Sequence, residues 1–135
     1  DVYKRQVIQI TGTANFLSQS LVDFLGGSSP LVLLLCFYML VSITTNFISN
    51  NACAVLFTPI AIDIAEKINV DPKIFAIALI FAVNTSFVTP LAYQTNLLVM
   101  GPGHYKFIDY VKFGLPLTIL CWVVFFVTFP LFYQL

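Results

Sequence analysis

The sequence predicts an all-α polytopic membrane protein, and three observations carry that prediction. Of its 135 residues 59% are hydrophobic and only 9% charged, where soluble domains carry roughly a quarter charged residues. Mean hydropathy is +0.94. The six basic and six acidic residues cluster at 1–5, 23, 63–73 and 106–112, leaving charge-free blocks at 24–62, 74–105 and 113–135. Each block exceeds the roughly 20 apolar residues that cross a bilayer as helix. A membrane barrel would need short alternating segments, and these blocks are continuous.

A formal net charge of zero argues against nucleic acid or an anionic surface as partner. Cys36, Cys53 and Cys121 stand singly inside apolar blocks without metal-ligand spacing, so they are read as small apolar residues.

Taken in order, residues 1–6 ("DVYKRQ") follow no signal-peptide pattern and are expected to be a non-native artefact, with residues 7–135 the C-terminal half of a longer transmembrane domain. Residues 12–27 have the pattern of a short amphipathic helix closed by Gly26-Gly27, too polar to span and suited to the membrane interface. Ser29-Pro30 supplies an N-cap and first helical residue, and an apolar arm runs from Pro30 to Ile48. A second arm runs from Ala52 to about Ala65, with Pro59 inside it. "DIAEKINVDPK" (63–73) reads as a solvated charged loop ending in a fresh Asp71-Pro72 helix start. The apolar run Lys73–Met100 is long for one span and carries Pro90 amid polar residues, which argues for a break. "GPG" (101–103) ends that helix, His104 falls in a solvated loop, and Gly114–Phe132 is a final span containing Trp122.

Two blocks are thus interrupted by uncharged polar residues. Thr44, Thr45, Asn46, Ser49, Asn50 and Asn51 fill six of eight consecutive positions, and Asn84, Thr85, Ser86, Thr89, Gln94, Thr95 and Asn96 form the second cluster. Interrupted hydrophobic segments point to a transporter's binding site. Unwound backbone in hydrocarbon leaves N–H and C=O groups without partners, at several kcal/mol each, unless a ligand, an ion or protein groups satisfy them. Side-chain and backbone oxygens suit a cation, while amide and hydroxyl donors suit an oxyanion. With no Lys or Arg in either cluster, an anion needs a companion cation, and sodium would also couple its uptake to an ion gradient.

The stretches "TTNFISNNACAVLFTPIA" and "NTSFVTPLAYQTNLLVMGPG" resemble the second repeat of the divalent anion/sodium symporter family, within the citrate-transporter-like permeases. The likeness runs from about Thr11 to Leu135. It implies a second inverted repeat with a re-entrant hairpin and a discontinuous transmembrane helix, in a multi-pass protein of the bacterial inner membrane that works as a homodimer with a moving transport domain. Ser49-Asn50-Asn51 takes the family's Ser-Asn-Thr position. By the resemblance, Thr45 and Asn50, with the carbonyls of Ile48 and Ala92, would hold sodium, and Asn50, Asn51, Gln94 and Thr95 would face the anion. Sodium would be the coupling ion, with no other cofactor. Asn51 stands where Thr is usual and Gln94-Thr95 where some dicarboxylate carriers have Pro-Pro, so sulfate, citrate and dicarboxylates all stay open as substrates.

Helix–helix hydrogen bonding would be the bland account of these polar residues, but one residue would suffice for it. An intramembrane enzyme would need a nucleophile and base or a metal cluster, and the blocks hold no acid. A channel subunit would show charged rings or a filter-like carbonyl run, and no such run appears in the sequence, which leaves a channel or structural subunit the less favoured reading. An arsenite or sodium/proton antiporter of the same superfamily is the alternative transporter. For orientation, the resemblance places Lys106 and Lys112 in the cytoplasm and Leu135 outside.

Overall fold

The computed structural model describes residues 19, 20, 23, 29–91 and 93–132. Gln19, Ser20 and Asp23 are helical and exposed; the rest of the expected interfacial helix, residues 1–6, Ala92 and Leu135 lie outside the described residues. Those residues form five longer helices and no strand: α1 (Pro30–Thr44), α2 (Asn50–Lys67), α3 (Pro72–Val83), α4 (Gln94–Met100) and α5 (Phe107–Phe132).

Each boundary has a local cause. Ser29 is the N-cap of α1 and Pro30 its first residue, where the missing N–H costs nothing. The helix ends at Thr44, four residues short of the expected Ile48. The chain then tightens: Phe47 and Ile48 both donate their N–H to the Thr44 carbonyl, at 3.0 and 3.2 Å. Ser49 caps α2 by accepting the Ala52 N–H at 3.3 Å. At its far end α2 corrects the expected loop, because Asp63, Glu66 and Lys67 are helical. Asp63 and Lys67 sit one turn apart and pair at 2.9 Å, with Lys67 in the last turn where a cation suits the helix dipole. Asn69 then takes a left-handed φ of 56°, and Asp71 caps α3 by accepting the Lys73 N–H at 2.9 Å.

α5 begins at Phe107 rather than Gly114, a second extension of helix into charged sequence. Asp109 in its first turn accepts the backbone N–H of Lys106 at 2.8 Å, closing the helix start from inside. Its 26 residues extend about 39 Å at 1.5 Å per residue. Among the described residues it is the one helix long and apolar enough to cross a membrane, while α1 and α3 are apolar but short.

Aromatic and aliphatic packing sets how these helices lie. Phe37 of α1 meets Phe57 of α2 edge-on, and Cys53 Sγ lies 3.8 Å from the Val41 carbonyl. Both pairs are symmetric about Phe47, so α1 and α2 form an antiparallel hairpin with its turn at 45–49. Phe37 also packs on Phe75 of α3, and Thr45 just past α1 bonds Val83 at the end of α3. Those two helices therefore run parallel and end at the same level. α5 runs antiparallel to α1, with Phe125 stacked on Tyr38 and Trp122 bonded to Ser42. The core between them is continuous and apolar, from Leu34 and Phe37 through Ile60 and Ile64 to Phe75 and Ala78, all fully buried.

Candidate functional site: two facing helix breaks

The two interruptions meet. The hairpin turn 45–49 and the unwound segment after Val83 lie against each other because α1 and α3 end side by side, and α2 starts from the same place. Two helix C-termini, with their partial negative charge, and one N-terminus, with its partial positive charge, therefore converge.

Asn46 joins the breaks. It is 6% exposed, so each polar atom needs a partner. Its Oδ1 accepts the Val88 N–H at 2.9 Å, and its Nδ2 donates to the Ser42 carbonyl at 2.7 Å and more weakly to the Thr85 carbonyl at 3.4 Å. The Asn46 carbonyl in turn accepts the Thr89 hydroxyl. One side chain and its own backbone thus satisfy groups that both unwound segments would leave exposed to hydrocarbon.

Thr45, fully buried, forms the second link. Its hydroxyl lies 2.9 Å from Asn50 Oδ1 and 3.0 Å from the Val83 carbonyl, as donor to both. One proton cannot fully serve two acceptors. The result is three oxygens close together, with fewer protons than lone pairs, at the carbonyl ends of two helices. Such a cluster suits a hard, weakly charged cation bound by neutral oxygens. Among the described residues no group of three His, Cys, Asp or Glu side chains could hold a metal ion.

The remaining expected site residues are placed as follows. Asn50 is half-buried and Asn51 exposed, both in the first turn of α2. Ile48 is exposed at the turn, beside Phe47 with 70% of its surface open. Gln94 and Thr95 are exposed in the first turn of α4, and no described hydrogen bond joins them to the 45–51 turn. The structure therefore brings Thr45 and Asn50 together and leaves Asn51, Gln94 and Thr95 on open surface.

α5 backs both breaks. A Cβ at Gly114 would collide with the Phe87 carbonyl and come 2.9 Å from Val88 Cα, so only glycine lets this helix approach the unwound chain. Two turns on, Trp122 Nε1 donates to Ser42 Oγ at 2.8 Å. Thr118 lies between them on the same face, buried, with a hydroxyl that has no hydrogen-bond partner among the described residues. Thr118 is roughly 17 Å along α5 from Phe107 and 21 Å from Phe132, so the breaks face the middle of the long helix. Two cavities flank α5. One of about 300 Å³ lies among Phe87, Asn96, Tyr110 and Gly114, and one of about 590 Å³ among Tyr38, Phe81, Thr85, Cys121 and Phe125. Tyr110 closes the first by donating to the Asn96 carbonyl at 2.7 Å.

Ser42 has a structural role here although it belongs to neither polar cluster, Thr85 and Thr89 take structural roles from within the second cluster, and Asn46 does more than any of them. Its signal was present, as a polar residue in the first cluster, but nothing local distinguished it from its neighbours.

Residues 6–135 match the family described as "Citrate transporter". An uncharacterized transporter of Escherichia coli K12 is 39% identical over 126 residues, covering 93% of this chain and 21% of its own length. The Na(+)/citrate cotransporter of Rattus norvegicus is 30% identical over 83% of this chain and 19% of its own. Sodium/sulfate cotransporter 1 of Chlamydomonas reinhardtii is 26% identical over 92% of this chain and 14% of its own. The chain spans about a fifth or less of the length of these curated relatives.

Proposed function

The chain belongs to the citrate transporter family, among transporters of the divalent anion/sodium symporter type and not enzymes, and from that membership we propose that it supplies half of the ion and substrate site of a sodium-coupled anion symporter. The observation that carries the reading is the Thr45 hydroxyl, Asn50 Oδ1 and Val83 carbonyl gathered in a partly buried place. Sodium suits neutral oxygens: the Val83 carbonyl ends α3, the Thr45 hydroxyl follows α1 and Asn50 adds its amide oxygen from the start of α2, while the C-termini of α1 and α3 bring partial negative charge.

The anion would lie on the other side of Asn50. There the first turn of α2 presents backbone N–H groups and the amides of Asn50 and Asn51 toward open surface, a ready anion site. Gln94 and Thr95 are proposed to complete that shell from α4, and the carbonyls of Ile48 and Ala92 to complete the sodium shell. Binding sodium first lowers the cost of bringing a divalent anion to a place without Lys or Arg, which is the basis of coupling.

In this reading α1 and α2 form a re-entrant hairpin. The 15 residues of α1 reach about 22 Å, short of the roughly 30 Å hydrocarbon core, and the turn faces the middle of α5. α3, the unwound segment and α4 then make one discontinuous transmembrane helix, as expected where a site lies near the midplane. The names of the relatives support a sulfate or citrate substrate for the carrier in the cell membrane.

The test is uptake of radiolabelled sulfate, citrate and succinate into proteoliposomes holding the full-length carrier, with sodium or choline outside. We expect at least one anion to enter several-fold faster in sodium. Equal uptake in sodium and choline would sink the sodium reading, and no uptake of any of the three would sink the anion reading.

A further inference from the structure

We propose that Trp122 is a positioning residue for the oxygens at Val83, Thr45 and Asn50, acting from α5 through Ser42 and Thr85; this rests on the sodium reading above. The hydrogen-bond chain has a direction that can be worked out from proton counts. An indole N–H only donates, so Trp122 gives its proton to Ser42 Oγ at 2.8 Å. Ser42 then directs its own proton to Thr85 Oγ1, 2.5 Å away. Thr85 directs its proton to the Ala82 carbonyl, 2.6 Å away. Each hydroxyl has one proton, and each finds one acceptor. The relay runs one way, from the long helix to the last turn of α3.

It ends one residue before Val83, whose carbonyl is one of the three clustered oxygens. That carbonyl belongs to a helix end, where no next turn holds it. Thr85 is also held from the other side, since its carbonyl faces Asn46 Nδ2. Ser42 and Thr85 are both buried, at 0% and 4% exposure, so each relies on its protein partners. Removing the indole N–H leaves Ser42 Oγ held by Thr85 alone, which loosens the hydroxyl that, beside the Thr85 N–H at 3.1 Å, holds the Ala82 carbonyl at the end of α3. A cation held by carbonyl and hydroxyl oxygens tolerates little such movement, and loss of an outer partner commonly costs ten- to hundredfold in metal affinity. Acting through two hydroxyls, Trp122 should cost about three- to tenfold.

The experiment is a sodium titration of thermal unfolding, using the full-length carrier in detergent at constant ionic strength with choline as replacement. It reads sodium binding without knowledge of the anion, because a ligand that binds the folded state raises the unfolding temperature. Trp122→Phe and Ser42→Ala should each move the half-effective sodium concentration upward by about three- to tenfold. Their combination should move it no further than the larger single effect, since both cut one chain. A purely structural role would instead lower the unfolding temperature equally at all sodium concentrations, without moving the midpoint. Ser42→Ala carries the test alone if Trp122→Phe does not fold. Thr45→Ala separates the two readings. A midpoint that moves for Thr45→Ala but stays within twofold for Trp122→Phe and Ser42→Ala overturns the role of Trp122 and keeps the sodium site. Additive single effects also overturn it. If Thr45→Ala leaves the midpoint in place, the sodium site fails and this proposal with it.

Discussion

Asn46 Oδ1 accepts the backbone N–H of Val88 at 2.9 Å, across 42 residues of sequence. That bond, with those from Asn46 Nδ2 and to the Asn46 carbonyl, lets two unwound segments share one buried space. Asn46→Ala would leave the Val88 N–H and the Ser42 carbonyl short of their side-chain partner in a largely buried place. The expected cost is on the order of 2–3 kcal/mol, read as a lower unfolding temperature of the full-length carrier in detergent. Asn51→Ala, on exposed surface, should move that temperature little. Equal stability of the two variants would show that Asn46 does not hold the breaks together.

Gly114 gives a prediction whose sign runs against helix propensity. Glycine inside a helix costs about 1 kcal/mol relative to alanine, so Gly114→Ala would stabilise an isolated α5. Here the new methyl group meets the Phe87 carbonyl, a backbone group that cannot turn aside. Overpacking of this kind costs about 1–3 kcal/mol, so the net effect should be destabilising and should reduce uptake. Gly101→Ala is the control, because none of the described residues lies within 4 Å of its added Cβ. A Gly114→Ala carrier as stable and active as the control would mean that α5 does not press on the unwound chain.

The breaks themselves were legible in the sequence, for a physical reason. Six uncharged polar residues in eight, inside a charge-free block, are too many hydrogen-bonding groups to bury in an unbroken apolar helix. The starts of α1 and α3 were legible too, through Ser29-Pro30 and Asp71-Pro72. The end of α1 was misplaced because the chain from Thr45 to Ile48 keeps helix-like turns and stays partly apolar. The helix ends that face charge run past their expected bounds, because charge reads locally as solvated loop, whereas the Asp63–Lys67 pair and the Asp109 cap stabilise helix there. Which polar residue meets which was not legible. Trp122 and Ser42 are 80 positions apart, and only the antiparallel packing of α5 on α1 brings them together.

Substitutions at the two sides of Asn50 should separate ion from anion. Thr45→Ala removes one of the three clustered oxygens, and Asn50→Ala another. Each should raise the sodium concentration for half-maximal uptake by roughly five- to hundredfold, the equivalent of 1–3 kcal/mol. Asn51→Ala and Gln94→Ala should instead raise the anion concentration for half-maximal uptake and leave sodium dependence nearly unchanged. Kinetics in proteoliposomes at varied sodium and fixed anion, then the reverse, would reveal the split. A parallel shift of both constants in all four variants would argue against separate sites.

The last prediction concerns orientation. The end of α2 and the start of α5 lie at opposite ends of the helix set, because α2 returns toward the start of α1 while α5 begins beyond the second break. Glu66 and Lys106 are both exposed and should therefore face opposite sides of the membrane. Lysines do not decide which side is which: Lys67 and Lys73 near one end balance Lys106 and Lys112 near the other. If the hairpin opens outward, Glu66 is outside and Lys106 in the cytoplasm. Cys36, Cys53 and Cys121 would first be replaced by alanine, along with cysteines elsewhere in the full-length carrier. An impermeant maleimide added to intact cells should then label Glu66→Cys at once and Lys106→Cys only after the membrane is opened. The reverse pattern would invert the orientation and leave the paired breaks intact, whereas labelling of both from outside would contradict the arrangement of α2 and α5 itself.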